Sequence, residues 1–290
     1  MNQQPYLSLD RPLGSWVWNV SYYVVNSEEM FNFCRKNHVT ELYLSINRDV
    51  TDLAYVDLIR KCASYGIRAA ALSGDPSWII PSRQNGYYDY LERVDRINEL
   101  CGDGPKFYSL HLDVEPHVLP EAKRDGLQGF VKYFVDFIKE ARVHADERSL
   151  SLEWDIPAWF GRFTDEEADC PLTETIFRYC DAVGIMAYSD TAMGQYNVVM
   201  PNVEMAKKMG KSLMIGTETM DLDEARREDG NCAISYYEEL KIYMYRCLNQ
   251  INSMVEKTYD QFGFAIHDMK RWIALQPHVL PQYAEVYAKC

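Results

Sequence analysis

Residues Phe107–Glu115 read FYSLHLDVE, and this stretch decides the fold. Successive side chains of an extended chain point to opposite faces. Ser109, His111, Asp113 and Glu115 therefore share one side, and Leu110, Leu112 and Val114 share the other. The apolar side calls for a cover of helices, and the polar side is aimed into an enclosed space. The turn signal Gly102-Asp103-Gly104-Pro105 precedes the stretch. A helical pattern over Leu127–Ala145 follows it, with Phe130, Tyr133, Phe134 and Phe137 at i, i+3, i+4, i+7 spacing.

The same strand-then-helix unit recurs in both directions along the chain. Upstream, Ser15–Asn19 is followed by a helix over Ser27–Asn37 that opens with Ser27, Glu28 and Glu29. Glu41–Asn47 (ELYLSIN) is followed by a helix over Asp52–Tyr65 stopped by Gly66. Arg68–Asp75 is followed by a Trp- and Pro-bearing loop and a helix over Tyr88–Leu100. Downstream, strands at Ser149–Asp155, Ala182–Tyr188, Ser212–Glu218 and Gly263–Asp268 alternate with helices at Thr173–Tyr179, Asn202–Met209 (stopped by Gly210) and Ser235–Tyr259, and a last helical stretch closes the chain. Helical crossovers between strands imply a parallel sheet. An open doubly wound sheet would carry a glycine-rich phosphate turn after its first strand, and SWVWNVSYYV (15–24) has none. The expectation is an α/β fold, a single (β/α)8 TIM barrel spanning residues 1–290.

Composition narrows the function. With 47% hydrophobic residues a sizeable core is available, and a net charge of −13 without a basic stripe argues against a nucleic-acid partner. No apolar run approaches the roughly 18 residues that span a bilayer, and Met1–Gly14 lacks the basic and apolar regions of a secretion signal. The eight scattered cysteines (Cys34, Cys62, Cys101, Cys170, Cys180, Cys232, Cys247, Cys290) contain no CxxC and read as reduced thiols. The reading is a cytoplasmic protein acting on a small-molecule or oligosaccharide substrate, with no nucleic-acid or membrane partner, no cofactor and no metal. Oligomeric state is left open, with the Tyr-rich seventh helix (Tyr236, Tyr237, Tyr243, Tyr245) offering a surface.

Catalytic groups of such barrels sit at the C-terminal ends of the strands. Ionisable residues gather there: Asp75, Asp113, Glu115 and His117, then Glu153 and Asp155, Asp190, Glu218, and His267 with Asp268. His111, Asp113 and Glu115 form a ladder toward the mouth. Two neighbouring carboxylates raise the pKa of one of them, which suits Glu115 to general-acid work with Asp113 tuning it. Trp18, Trp78 and Trp159 lie at strand ends or in βα loops, where flat rings can stack on sugars.

LHLDVEP (110–116) resembles the strand-four D-x-E signature of the chitinase-like family 18 glycoside hydrolases, and GIMAYSD (184–190) resembles their strand-six M-x-Y-D segment. The resemblance implies Glu115 as the acid, Asp113 as the residue that orients an N-acetyl group, and Tyr188 as its helper while that group attacks internally. The chain has His111 where the family carries an Asp, Ser189 where it carries the strand-six Asp, and the His267-Asp268 region where it carries a Trp. A second resemblance, to retaining barrel glycosidases, implies Glu218 at the end of strand seven as a nucleophile about 5–5.5 Å from the acid. His111, Glu153, Asp155, Trp18, Trp78, Trp159, His267 and Asp268 are then substrate-binding candidates. Two alternatives stay open: a metal-dependent TIM-barrel hydrolase or isomerase using these carboxylates and histidines, and an inactive carbohydrate-binding barrel.

Overall fold

The computed structural model describes residue 7, residues 9–221 and residues 234–277. Among them, eight parallel strands close into a barrel in which each strand neighbours the next in sequence and the last pairs with the first. They are β1 (Leu13–Val17), β2 (Glu41–Ser45), β3 (Arg68–Ser73), β4 (Ser109–Leu112), β5 (Ser151–Pro157), β6 (Ala182–Met186), β7 (Ser212–Glu218) and β8 (Phe262–His267). The expected (β/α)8 TIM barrel is therefore the observed fold. No helix among the described residues is long and apolar enough to cross a membrane.

Strand alternation sorts the side chains as β4 foretells. Leu110, Leu112 and Val114 join one large core between sheet and helices, together with Leu152, Trp154, Ile156, Val183, Ile185, Leu213, Ile215, Phe264 and Ile266. The Trp154 ring lies 5.5 Å from Phe134 and 5.7 Å from Phe137, two residues of the helix Val131–Glu147. A second, smaller cluster fills the barrel itself: Trp16, Tyr43, Ala70, Leu72, Met214 and Ala265.

Helix boundaries follow local chemistry. The Thr51 side chain accepts from the amide of Ala54 to start Asp52–Ser64, and Gly66 beyond its end has φ +72°. Thr191 likewise starts Ala192–Met209, which ends at left-handed Gly210. This helix begins ten residues before the expected Asn202 and runs through Pro201. Proline mid-helix removes one hydrogen bond and is usually a terminator, which is why the pattern alone started the helix after it. A short helix, Val20–Val25, and a two-stranded ribbon, Thr164–Asp165 with Cys170–Pro171, are further additions to the expected plan. Cys34, Cys62, Cys101 and Cys180 are buried thiols outside any disulfide, whereas Cys232 and Cys290 lie outside the described residues. Tyr236 and Tyr245 are buried in the core and so do not form the surface expected of the Tyr-rich helix.

Candidate active site

The barrel axis is built in storeys, and register sets them. On neighbouring strands His111 lies level with Glu153, while Asp155 lies level with Gly184 two residues nearer the mouth. The His111 ring spans both levels. Its Nδ1 is 2.9 Å from Glu153 Oε2 and its Nε2 is 2.7 Å from Asp155 Oδ2. The ring stacks on Tyr43, with centroids 3.9 Å apart. Burial alone would lower its pKa, but Asp155 and Glu153 outweigh that and lift it to about 10. Both ring nitrogens face acceptors, so the ring is an imidazolium. The indole N–H of Trp16 donates to the same Asp155 Oδ2 at 2.7 Å.

Two glycines make this arrangement possible. A Cβ on Gly184 would stand 2.0 Å from Asp155 Oδ1, and a Cβ on Gly74 would stand 1.9 Å from the carbonyl oxygen of Asp113. Neither position tolerates a side chain while its neighbour stays in place.

Nearer the mouth, Asp113, Glu115 and Tyr188 are all partly exposed. Burial, then Asp155 and Glu115, push the Asp113 carboxyl well above the ordinary range, against the opposing pull of His267 and His111. Glu115 is raised as well, by burial and then Asp155. The Tyr188 hydroxyl is pushed far up by burial, with Glu218, Asp113, Asp155 and Glu115 adding to it. These mutual effects mark the four carboxylates and the phenol as electrostatic neighbours.

Glu218, at the end of β7, is one of these neighbours. Its Oε1 accepts from the backbone amides of Thr219 and Met220, both at 2.8 Å, and Oε2 lies 2.9 Å from His267 Nδ1. The Trp18 indole N–H approaches His267 Nε2 at 2.9 Å. An indole nitrogen only donates, so Nε2 is the acceptor and the ring proton sits on Nδ1, facing Glu218. Burial lowers the His267 pKa, and the hydrogen bond and charge of Glu218, with the charges of Asp268 and Asp113, together outweigh it.

The structure thus brings together Asp113, Glu115, Tyr188, Glu218, His111, Asp155, His267 and Trp18. Trp159 stands at the rim, 38% exposed, with its ring 5.1 Å from that of His117. His117 Nε2 lies 3.7 Å from Glu115 Oε1, and burial, then Lys123, hold His117 below an ordinary imidazole.

Three candidates are placed elsewhere. Trp78 is 6% exposed and packs among Tyr87, Tyr90 and Phe137 in the helical layer, because its loop folds inward rather than over the mouth. Asp268 alternates to the outer face of the barrel. There it caps the helix Met269–Ala274 by accepting from the amide of Arg271, whose guanidinium it also binds. Glu153 sits one storey too deep and opens to the other end of the barrel.

Trp16, Tyr43, Gly74 and Gly184 escape a search for strand-end chemistry. The Trp16 signal is present in the sequence, since alternation puts Gly14, Trp16 and Trp18 on one face. Among the described residues, no three His, Cys, Asp or Glu side chains group as metal ligands.

No protein-family model and no curated protein matches the sequence. Solved structures do match in fold. A chitinase from Bacteroides thetaiotaomicron aligns at 10% identity and TM-score 0.53, covering 91% of each chain. A GH18 chitinase from Cycas revoluta in complex with (GlcNAc)3 aligns at 10% identity and TM-score 0.53, covering 91% of this chain and 96% of that one. The C-terminal domain of a putative chitinase from Desulfitobacterium hafniense aligns at 8% identity and TM-score 0.51, covering 72% of this chain and 66% of that domain. At these identities the likeness is one of fold, the eight-stranded (β/α)8 barrel.

Proposed function

We propose that the protein is a glycoside hydrolase acting on a small or N-acetylated sugar conjugate, with Glu115 as general acid and Asp113 orienting the substrate. The observation that carries this reading is the pair itself. Two carboxyls two residues apart share one inward face, both keep protons above the ordinary carboxylate range, and both remain open to the mouth. Glu115 passes its proton to the glycosidic oxygen as the bond to the anomeric carbon breaks. Asp113 accepts from the N–H of an acetamide and the Tyr188 hydroxyl orients it, as its carbonyl oxygen captures that carbon. Water then opens the ring so formed, returning a proton to Glu115. Trp159 and Trp18 supply flat faces for the sugar. The chemistry requires no cofactor.

Glu218 is the other possible nucleophile. Its Oε1 is held by two backbone amides and its Oε2 by His267. Donors that stabilise a carboxylate also quench its attack, and this favours the internal acetamide. Glu115→Gln is expected to lower turnover of an aryl N-acetylglucosaminide by about 10²–10⁴-fold with the circular-dichroism spectrum unchanged. Undiminished turnover in that variant would remove Glu115 from the acid role. Equal turnover of the matching aryl glucoside, which lacks the acetamide, would return the nucleophile to Glu218.

A further inference from the structure

We infer that the end of the barrel opposite the acidic mouth is a second binding site, built for a small organic cation: a primary ammonium on a short aliphatic stem. The inward positions where β6, β7 and β8 begin are Ala182, Gly184, Met214 and Gly263, whereas Glu41, Arg68, Tyr108 and Glu153 form the facing wall. Small residues on one side and polar ones on the other leave a cavity of about 380 Å³ roofed by His111, within the usual range for small-molecule sites.

The polar wall sets the ligand's charge. Glu41 is occupied, with Oε1 on the Arg68 guanidinium and Oε2 facing the hydroxyls of Tyr43 and Tyr108 at 3.4 Å each. Arg68 is committed too, since its guanidinium also lies over the Tyr108 ring at 4.2 Å. Glu153 is different. Its Oε2 takes both the Tyr108 hydroxyl (3.1 Å) and His111 Nδ1 (2.9 Å), and Oε1 has no donor among the described residues. Yet Glu153 is only 8% exposed and lines the cavity. Its Oε1 faces the cavity with no donor on it from the described residues, and an ammonium group supplies a donor together with a charge.

The rest of the wall fits a stem. Met214 and Ala182 supply the apolar part of the wall, and the rim beyond carries Asp181 and Asp260, which repel anions. The chain's net charge of −13 acts in the same direction at longer range. A single carboxylate oxygen with hydroxyl neighbours suits one ammonium better than a divalent ion, which needs several ligands converging.

The test uses the full chain with n-butylammonium chloride as the probe and n-butanol as its neutral counterpart, read by calorimetry. Saturable binding of the amine is expected, weakened about tenfold or more by Glu153→Gln, which removes a charge-assisted hydrogen bond. Ala182→Leu, which fills the cavity beside Glu153 without touching any charge, is expected to do the same. Glu115→Gln at the far mouth is expected to bind as the parent does. Circular dichroism identifies a variant that fails to fold, and Ala182→Leu then carries the test alone. Absence of saturable binding overturns the inference, as does equal binding of butanol, binding unchanged by filling the cavity, or loss of binding through Glu115→Gln instead.

Discussion

The barrel holds two histidines near its axis, and they meet different pairs of partners. His111 meets a carboxylate at each ring nitrogen, so both nitrogens donate and the ring is cationic. His267 meets a carboxylate at Nδ1 and an indole N–H at Nε2, so the indole disfavours a second ring proton while Glu218 draws one. Both rings are deep in the barrel and both lie near carboxylates. The second partner decides the difference: an acceptor calls for a second proton, and a donor rejects it. The β4–β5 side of the site thus carries a positive charge beneath its acids, and the β7–β8 side carries a hydrogen-bond relay from Trp18 through His267 to Glu218.

The comparison breaks most visibly at His111. His111→Ala leaves Glu153 and Asp155 without their shared cation, and loss of one partner of a buried ion pair costs about 3–5 kcal/mol. Denaturant titration is expected to show that loss at pH 6. Because the folded pKa of about 10 lies above the ordinary 6.5, the stability from this group is complete below 6.5 and is lost as pH rises through about 10. The variant and the parent are therefore expected to converge in alkali. A stability difference that is flat from pH 6 to 10 would mean the ring is neutral.

A smaller effect, of opposite sign, is expected at Asp113. Its folded pKa is raised, so its contribution to stability falls as pH rises above the ordinary 3.8. Asp113→Asn is expected to lose activity and gain melting temperature at pH 8, by about 2–4 °C for each kcal/mol of relieved strain, with little gain at pH 4. A gain independent of pH would show that charge is not its source.

The smallest effect sharpens the contrast. Trp18→Phe removes the donor at His267 Nε2 and leaves Glu218 in place, and the ring is expected to take its second proton about one pH unit higher, a difference of about 1.4 kcal/mol. Imidazole nitrogen chemical shifts read this directly. An unchanged titration would mean that the indole does not govern the ring.

Much of this was legible beforehand because two periodicities carry it. Glu41–Ser45, Arg68–Ser73 and Ser212–Glu218 start where alternation and turn signals put them, and the inward ladder of β4 needs only the period of two. The first strand lies two residues earlier than expected, at Leu13–Val17, since Leu13 and Gly14 carry no polar alternation to mark the start. What the chain could not disclose was depth and direction. Glu153 and Asp155 share a face of β5, yet only closure of the barrel shows that one serves the mouth and the other the opposite end. Asp268 has the right chemistry at a strand end, but the next helix takes its carboxylate as a cap.

One consequence follows from Gly184. The position carries no functional group, yet the hydrogen in place of a methyl is what gives Asp155 room to hold both Trp16 and His111. A mutational survey ordered by chemical type would pass over it. Alanine there is nominally the gentlest of substitutions, and it would collide with the carboxylate on which the tuning of Asp113 and Glu115 depends. In this barrel some of the strictest demands on sequence fall on positions where nothing can be added, beside residues whose chemistry draws the eye.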